Sequence, residues 1–498
     1  MPSIAELLSF MKRENEPSWQ SAKGIGSMER PPVVRAASDD PGMASLFRMR
    51  SAGWGPTRRR VAGRKTPWRV PSERGRGHAN ATPSSSSSSS LSLSPSDRSP
   101  ESFKHLGQAL SVYGRRKPKL VLTRGTWEAA EVTEDGKLRA TGRLIFHNRH
   151  RRQELFVPDV SATARLLSRS SIEGVRATVK ITPRHDLSDG YGSPDSTPRQ
   201  DGYWNTFILQ GGSSTFLDVE VSIEVSDASS PARRASLADL TSCCVEIRYE
   251  CYGPSGLTSH AQHVVVPLSY PDPTLSPREA GGGDAYRVLA IPTHLLCHDD
   301  DPVGVVEAYA GPHAKNGDVI VVAETPLAIM QGRYRHPVTV RPTLLAKCLC
   351  RLFHPTSSVA TACGMQALLD LVGPVRALAA AVLGCVCRVL RLGRGVFYKV
   401  AGEQASLLDD ISGTIAPYDK FICLGPENAE KFVDAVRLKL GVGACVVDVN
   451  DLSKSTKMMT VLAKTSNVDA DLVREALLPN PAGNADQQTP IVLIRPTA

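Results

Sequence analysis

The side chains best suited to chemistry here are thiols, imidazoles and acidic clusters, and their spacing limits what they could do. The eleven cysteines are Cys243, Cys244, Cys251, Cys297, Cys348, Cys350, Cys363, Cys385, Cys387, Cys423 and Cys445. None forms a Cys-x-x-Cys pair, so neither a zinc site nor a redox dithiol is indicated. Most lie in apolar runs, where Cys packs as a small hydrophobe, and a reducing compartment without obligatory disulfides is expected. His185, His260 and His263 have no carboxylate pattern around them and read as solvent-facing or satisfied core residues. The run His298-Asp299-Asp300-Asp301 precedes an expected helix, where acidic side chains cap free N–H groups and face the positive dipole end. Asn480–Asp486 is a polar loop containing Pro and Gly, a kind of segment that carries function or simply connects. No Gly-x-x-x-x-Gly-Lys-Ser/Thr run occurs, so any bound nucleotide is held outside a P-loop.

The elements that must position such residues fall into two textures. From Pro118 to Asp272 short alternating or apolar runs recur, among them Leu138–Phe146, Val175–Ile181, Phe216–Val225, Cys244–Cys251 and His263–Leu268. Turn material such as Glu134-Asp135-Gly136 and Gly211-Gly212 separates them. Several short strands at this spacing predict a β-sandwich, loosely similar to Ig-like sandwiches. The basic cluster His147–Arg152 reads as a solvated loop. Gly281–Gly283 read as a linker. Beyond it apolar strands such as Val319–Ala323 alternate with helices such as Val303–Ala310, Met365–Leu392 and Glu427–Leu440, which predicts an α/β domain. The fold class expected is thus α+β multidomain: a disordered segment over 1–115, a β-sandwich over 116–275 and an α/β domain over 285–498.

Charge separates the N-terminal segment from the rest. The 498 residues carry a formal net charge of +9. Residues 1–100 hold 16 Lys and Arg against 8 Asp and Glu, and the remainder is close to neutral. A basic nucleic-acid groove on the folded part is therefore not expected. Ser84–Ser90 are seven consecutive serines, and between Met43 and Ser96 the one acidic residue is Glu73. That Arg-rich, Ser-rich, acid-poor composition is the signature of an organelle transit peptide. Glu6, Glu14 and Glu16 precede it, so a start at Met43 is one expectation and an N-terminal extension another. The longest candidate for a membrane segment, Ala377–Cys387, is too short to span and reads as a buried or interfacial helix.

Over residues 285–498 the chain carries a collinear set of motifs: Ala290-Ile-Pro-Thr-His-Leu-Leu; Gly317-Asp-Val-Ile-Val-Val-Ala-Glu through Gln331-Gly-Arg-Tyr-Arg-His-Pro; His354-Pro-Thr-Ser-Ser; Ala401-Gly-Glu-Gln; Pro417-Tyr-Asp-Lys-Phe-Ile; Val446-Val-Asp-Val-Asn-Asp; and Asn480-Pro-Ala-Gly-Asn-Ala-Asp. With these it resembles the coenzyme F-420-0:gamma-glutamyl ligase family, in the branch of cyanobacteria and plant or algal plastids. The resemblance implies a ligase that uses GTP and Mg²⁺ or Mn²⁺ to activate a carboxylate as an acyl phosphate, which the amine of L-glutamate then attacks. Such a reaction needs a divalent ion to neutralise and align a heavily charged phosphate. It also implies small-molecule partners, a plastid stroma location with the cytoplasm as alternative, and a homodimer, for which the Ala377–Val386 helix is a candidate surface.

Residue by residue, Gly317 and Asp318 match the family's Gly-Asp. At the family's Ser-Lys-x-Glu-Gly this chain has Ala328, Ile329 and Gln331, then Gly332 and Arg333, so a lysine and a glutamate are lost. Glu324, Arg335 and His336 stand nearby as substitutes. Asp318, Gly332, Arg333 and His336 are the implied substrate or nucleotide contacts. For the metal, Ala401-Gly402 match and are followed by Glu403 and, six residues on, Asp409-Asp410, while Asp448 or Asp451 stands at the family's second carboxylate. The alternative is a catalytically altered relative that binds a ligand or serves as scaffold.

Overall fold

The computed structural model describes residues 100–185, 203–225, 237–392, 395–410, 415–449, 459–482 and 487–497. The proposed transit peptide and the start at Met43 lie outside these residues.

Alternation builds the first domain. Its strands are β1 (Leu120–Leu122), β2 (Thr126–Trp127), β3 (Glu131–Val132), β4 (Leu138–Asn148), β5 (Leu155–Val157), β6 (Val160–Ser168), β7 (Val175–Arg184), β8 (Phe207–Leu209), β9 (Ser214–Val225), β10 (Leu240–Gly253) and β11 (Gly256–Pro267). One sheet runs β1-β4-β9-β7, with β2 and β3 also on β4. The other runs β11-β10-β5-β8, with β6 also on β10. On β9 every second residue (Leu217, Val219, Val221, Ile223) is fully buried, as a half-wet strand requires. Phe146 and Tyr249 meet edge to face at 5.2 Å across the sandwich core. The small residues of β6 give no strand signal of their own, and its pairing along β10 from Leu240↔Ser168 to Tyr249↔Val160 supplies the missing stabilisation.

The second domain is built on a six-stranded sheet: β12 (Arg278–Gly282), β13 (Tyr286–Ile291), β14 (Val319–Ala323), β18 (Gly443–Val449), β19 (Met459–Lys464) and β20 (Ile491–Pro496). Short strands β15 (Tyr334–Arg335), β16 (Asp409–Asp410) and β17 (Ile422–Cys423) form a separate sheet. The large sheet runs β12-β13-β20-β14-β18-β19. The adjacent strands β14 and β18 are parallel, and the remaining pairs are antiparallel. Both faces are covered, which is why Val319–Ala323 is apolar throughout. Ile320 and Val322 face one core and Val319 and Val321 the other.

Two boundaries differ from the sequence reading. Gly281 and Gly282 are not a linker: they pair with Val288 and Arg287 in edge strand β12, where backbone bonding asks nothing of a side chain. The segment expected to be disordered to residue 115 ends earlier. Helix α1 (Pro100–Ser111) is packed, with Ala109 and Val112 each 3% exposed, Gln108 donating to the His298 carbonyl, and the Arg115 amide donating to Asp370 O at 2.9 Å. An amphipathic turn with a docking surface is ordered by that surface and not by its own composition.

Helices α2 (Pro302–Ala310), α9 (Ala429–Leu440) and α10 (Ala470–Leu477) cover the sheet, and α3 (Glu324–Met330) follows β14 directly. Between β14 and β18 the chain inserts α4 (Leu344–Leu349), α5 (Ala362–Val372), α6 (Pro374–Val389), α7 (Val396–Ala401) and α8 (Glu403–Ser406), with their own apolar core. Gly373 (φ +87°) joins α5 to α6 through a 115° bend; a Cβ there would lie 2.6 Å from Arg115 Nη1. Among the described residues no single helix is long and apolar enough to cross a membrane.

Candidate functional site

A cavity of about 610 Å³ opens at the C-terminal ends of β14 and β18. These two strands are parallel, so both deliver their last residues to the same edge, where α/β sheets commonly bind ligands. β14 and the start of α3 supply Ala323, Glu324 and Thr325; β18 supplies Val447 and Asp448. The helical insertion closes the opposite side with Thr356–Val359, Tyr398, Ser406, Leu408 and Asp409. Loops 293–296, 480–482 and 488–490 complete the wall. The volume suits a small molecule.

Three carboxylates distinguish this cavity. Glu324 is 7% exposed, and its Oε2 has no hydrogen-bond partner. Burial, then the charges of Asp448, Asp409 and Glu403, push its carboxyl up to about 10. Asp409 is pushed up to about 6 by burial and the Asp448 charge, with the Thr325 hydroxyl, 3.4 Å away, opposing the shift. Burial also raises Asp448. Carboxylates raised by burial first, and two of them further by neighbouring negative charge, mark a site where a cation or a cationic group would be accommodated. Among the described residues no three His, Cys, Asp or Glu side chains converge closely enough to hold a metal ion as they stand. Among the same residues no Lys or Arg lines the cavity.

Of the residues the sequence reading put forward for metal, Asp409 and Asp448 line the cavity, and exposed Glu403 acts on Glu324 by its charge. Asp410 does not line it. Neighbours on a strand point to opposite faces, and Asp410 turns toward the start of α5, where its carboxylate accepts the Thr361 hydroxyl. Asp451 lies outside the described residues.

The implied nucleotide contacts are engaged elsewhere. Asp318 is buried and bonded to Arg495 Nη2 at 2.9 Å and to the Lys315 amide at 2.7 Å. Arg333 is 1% exposed; its guanidinium donates to Gly425 O at 2.6 Å and Gln404 Oε1 at 2.9 Å, and pairs with Glu427. Gly332 (φ +68°) turns the chain beside Arg124, which donates to Gly332 O at 2.8 Å and Tyr334 O at 2.6 Å. His336 stacks on His263 of the sandwich at 4.1 Å. Arg335, a suggested substitute, pairs with buried Asp370 at 2.9 Å. These side chains hold the sandwich and the insertion in place. Glu324, the other substitute considered, is the one that enters the cavity; its signal was a lone acid directly after an all-apolar strand.

The acidic run before α2 is structural, as capping predicts. Asp301 accepts the Gly304 amide at 2.8 Å. Asp300 accepts the Cys297 amide at 2.7 Å and holds His294 Nε2 at 3.0 Å, while Tyr309 holds His294 Nδ1 at 2.8 Å. His294, which the sequence reading included in a motif but gave no role, is thereby fixed at the cavity wall.

No curated protein matches the chain. Solved structures give low likenesses over 30% of this chain: the GAE domain of yeast GGA1 (10% identity, 92% of that chain, TM-score 0.16), the GAE domain of GGA2p from Saccharomyces cerevisiae (11%, 92%, 0.16) and the CooA pilin subunit of enterotoxigenic Escherichia coli (9%, 99%, 0.17). Likenesses at that level carry no argument. The informative likeness is to a family and covers the sandwich: residues 121–270 match the family model described as "F420-0:gamma-glutamyl ligase, N-terminal Ig-like domain", which supports a ligase-like protein of that family.

Proposed function

We propose that this chain is a glutamyl ligase-like protein that joins the amine of L-glutamate to a deazaflavin or similar carboxylate, with GTP and Mg²⁺ or Mn²⁺. The observation that carries the reading is the set of buried carboxylates held toward their protonated forms, Glu324, Asp409 and Asp448, in a cavity beside a sandwich that matches the family's Ig-like domain. The orphaned Oε2 of Glu324 and the all-oxygen character of the set fit a hard divalent cation. These three residues would hold it after drawing closer together than they stand in this structure, and when bound it would supply the positive charge that a phosphate and an activated carboxylate require. On the same wall the Thr325 and Ser406 hydroxyls donate to Asp409 and to the Glu403 carbonyl, and Ser357 shares a hydrogen bond with the Tyr398 hydroxyl, so a bound phosphate would take over protons that now serve these partners. His294, clamped by Asp300 and Tyr309, gives the cavity a wall that does not reorganise. On the composition of residues 43–96 we place the protein in the plastid stroma, which a fluorescent fusion of the N-terminal segment tests.

Calorimetric titration of the purified chain with MnCl₂, and then with GTP in its presence, tests the proposal. Saturable Mn²⁺-dependent GTP binding supports it; a flat titration with GTP, with and without metal, ends it. The lack of Lys or Arg among the described lining residues favours a second reading, a relative that binds its ligand without turnover. Phosphate release that depends on glutamate separates the two.

A further inference from the structure

Helix α6 turns its small residues inward and its large ones out. Ala377, Ala380 and Ala381 are buried against the insertion's core, and Cys387 is buried near the helix end. Val375, Leu378, Val382, Val386 and Val389 are 45–81% exposed. At 3.6 residues per turn these five lie within an arc of about 80°. Leu390 and Leu392 extend the apolar surface at its end, and Leu344 and Leu352 around α4 add exposed apolar area on the same insertion. Soluble surfaces rarely leave so much aliphatic area uncovered without a partner.

The charges around this stripe say what covers it. Arg376 and Arg388 flank the arc, each about 80° beyond one edge. From 325 to 402 the one acidic residue is Asp370, and it is buried against Arg335. Exposed cations over the same span include Arg341, Lys347, Arg351, Arg376, Arg388 and Arg391. A second copy placed on this face by a two-fold axis would oppose one basic rim to another, with no exposed carboxylate among the described residues from 325 to 402 to neutralise them. An anionic lipid surface satisfies both halves of the pattern.

We propose that α6 lies in the plane of an anionic membrane surface. Its aliphatic stripe enters the acyl boundary, and Arg376 and Arg388 reach up along it to lipid phosphates. The test is co-sedimentation of the full chain with vesicles of phosphatidylglycerol and phosphatidylcholine in equal parts, against phosphatidylcholine alone. Because residues 1–100 are basic, the comparison that decides is between wild type and variants. Val382→Asp combined with Val386→Asp is expected to weaken binding at least about tenfold. Arg388→Ala combined with Arg391→Ala is expected to weaken it about fivefold per charge, and less in high salt. All four positions are exposed, so melting temperature and circular dichroism stay at wild-type values. Equal binding of the double Asp variant and the wild type would overturn the proposal. So would equal binding to neutral vesicles, or a wild-type dimer that ignores vesicles and is broken by the Asp substitutions.

Discussion

Glu324 pays for its position in a cavity with two other acids by giving up its charge. Glu324→Gln keeps the neutral, isosteric shape that the protonated carboxyl already has, so its melting temperature is expected within about 2 °C of wild type, with Mn²⁺ binding lost. A variant that melts far lower and still binds Mn²⁺ contradicts that role. Arg333 behaves the opposite way. Arg333→Ala strands the buried Gly425 carbonyl and leaves half-buried Gln404 and exposed Glu427 without this partner, and a loss of about 2 kcal/mol in urea unfolding is expected. Buried histidines set the acid limit. His298 is pushed down to about 3, by burial first and then by the Arg124 charge, and His263 to about 4, by burial and then His336. In the unfolded chain both titrate near 6.5, so between 6.5 and about 4 the unfolded state takes up protons that the folded state refuses. Stability is therefore full above 6.5 and falls as pH drops, by about 1.4 kcal/mol per pH unit per histidine. His298→Gln is expected to flatten that dependence in melts from pH 7 to 4.5. At this scale sequence and structure part over partners: Arg333 beside Gly332 reads as a phosphate contact until Gln404 and Glu427, 71 and 94 residues away, are seen to hold it.

At the scale of elements, periodicity was the dependable signal. The alternation in β9 and the unbroken apolar run of β14 predict their burial correctly, because one-sided and two-sided burial leave different patterns. Elements held by pairing alone were not legible: β6 is mostly Ser, Ala and Leu, and β12 ends in glycines. The site shares this limit. Asp409 and Asp410 are equivalent in sequence, and only the pleat of β16 sends one to the cavity and the other to α5. Arg124, in the turn after β1, carries a contact between the sandwich and the second domain by donating to the Gly332 and Tyr334 carbonyls, while its Nε donates to the His263 carbonyl within the sandwich. Arg124→Ala is expected to cost about 2–3 kcal/mol and to speed proteolysis between the two domains, with Mn²⁺ affinity retained in the folded fraction.

For the whole molecule, the +9 charge belongs mainly to the N-terminal segment, and the folded part begins before that segment was expected to end. A chain starting at residue 100 is expected to melt several degrees above one starting at 116, since the shorter one exposes the surface that covers Ala109 and Val112. Equal melting temperatures would show that α1 adds nothing to the fold. The central claim is that the cavity's carboxylates are a cation site serving a nucleotide. It is tested most directly by electron paramagnetic resonance of Mn²⁺ titrated into the full chain and its Asp448→Asn variant, with and without GTP. The account predicts one saturable Mn²⁺ site whose spectrum changes on adding GTP, and loss of that site in Asp448→Asn. Identical Mn²⁺ binding by the two proteins, or none by the wild type, would contradict it.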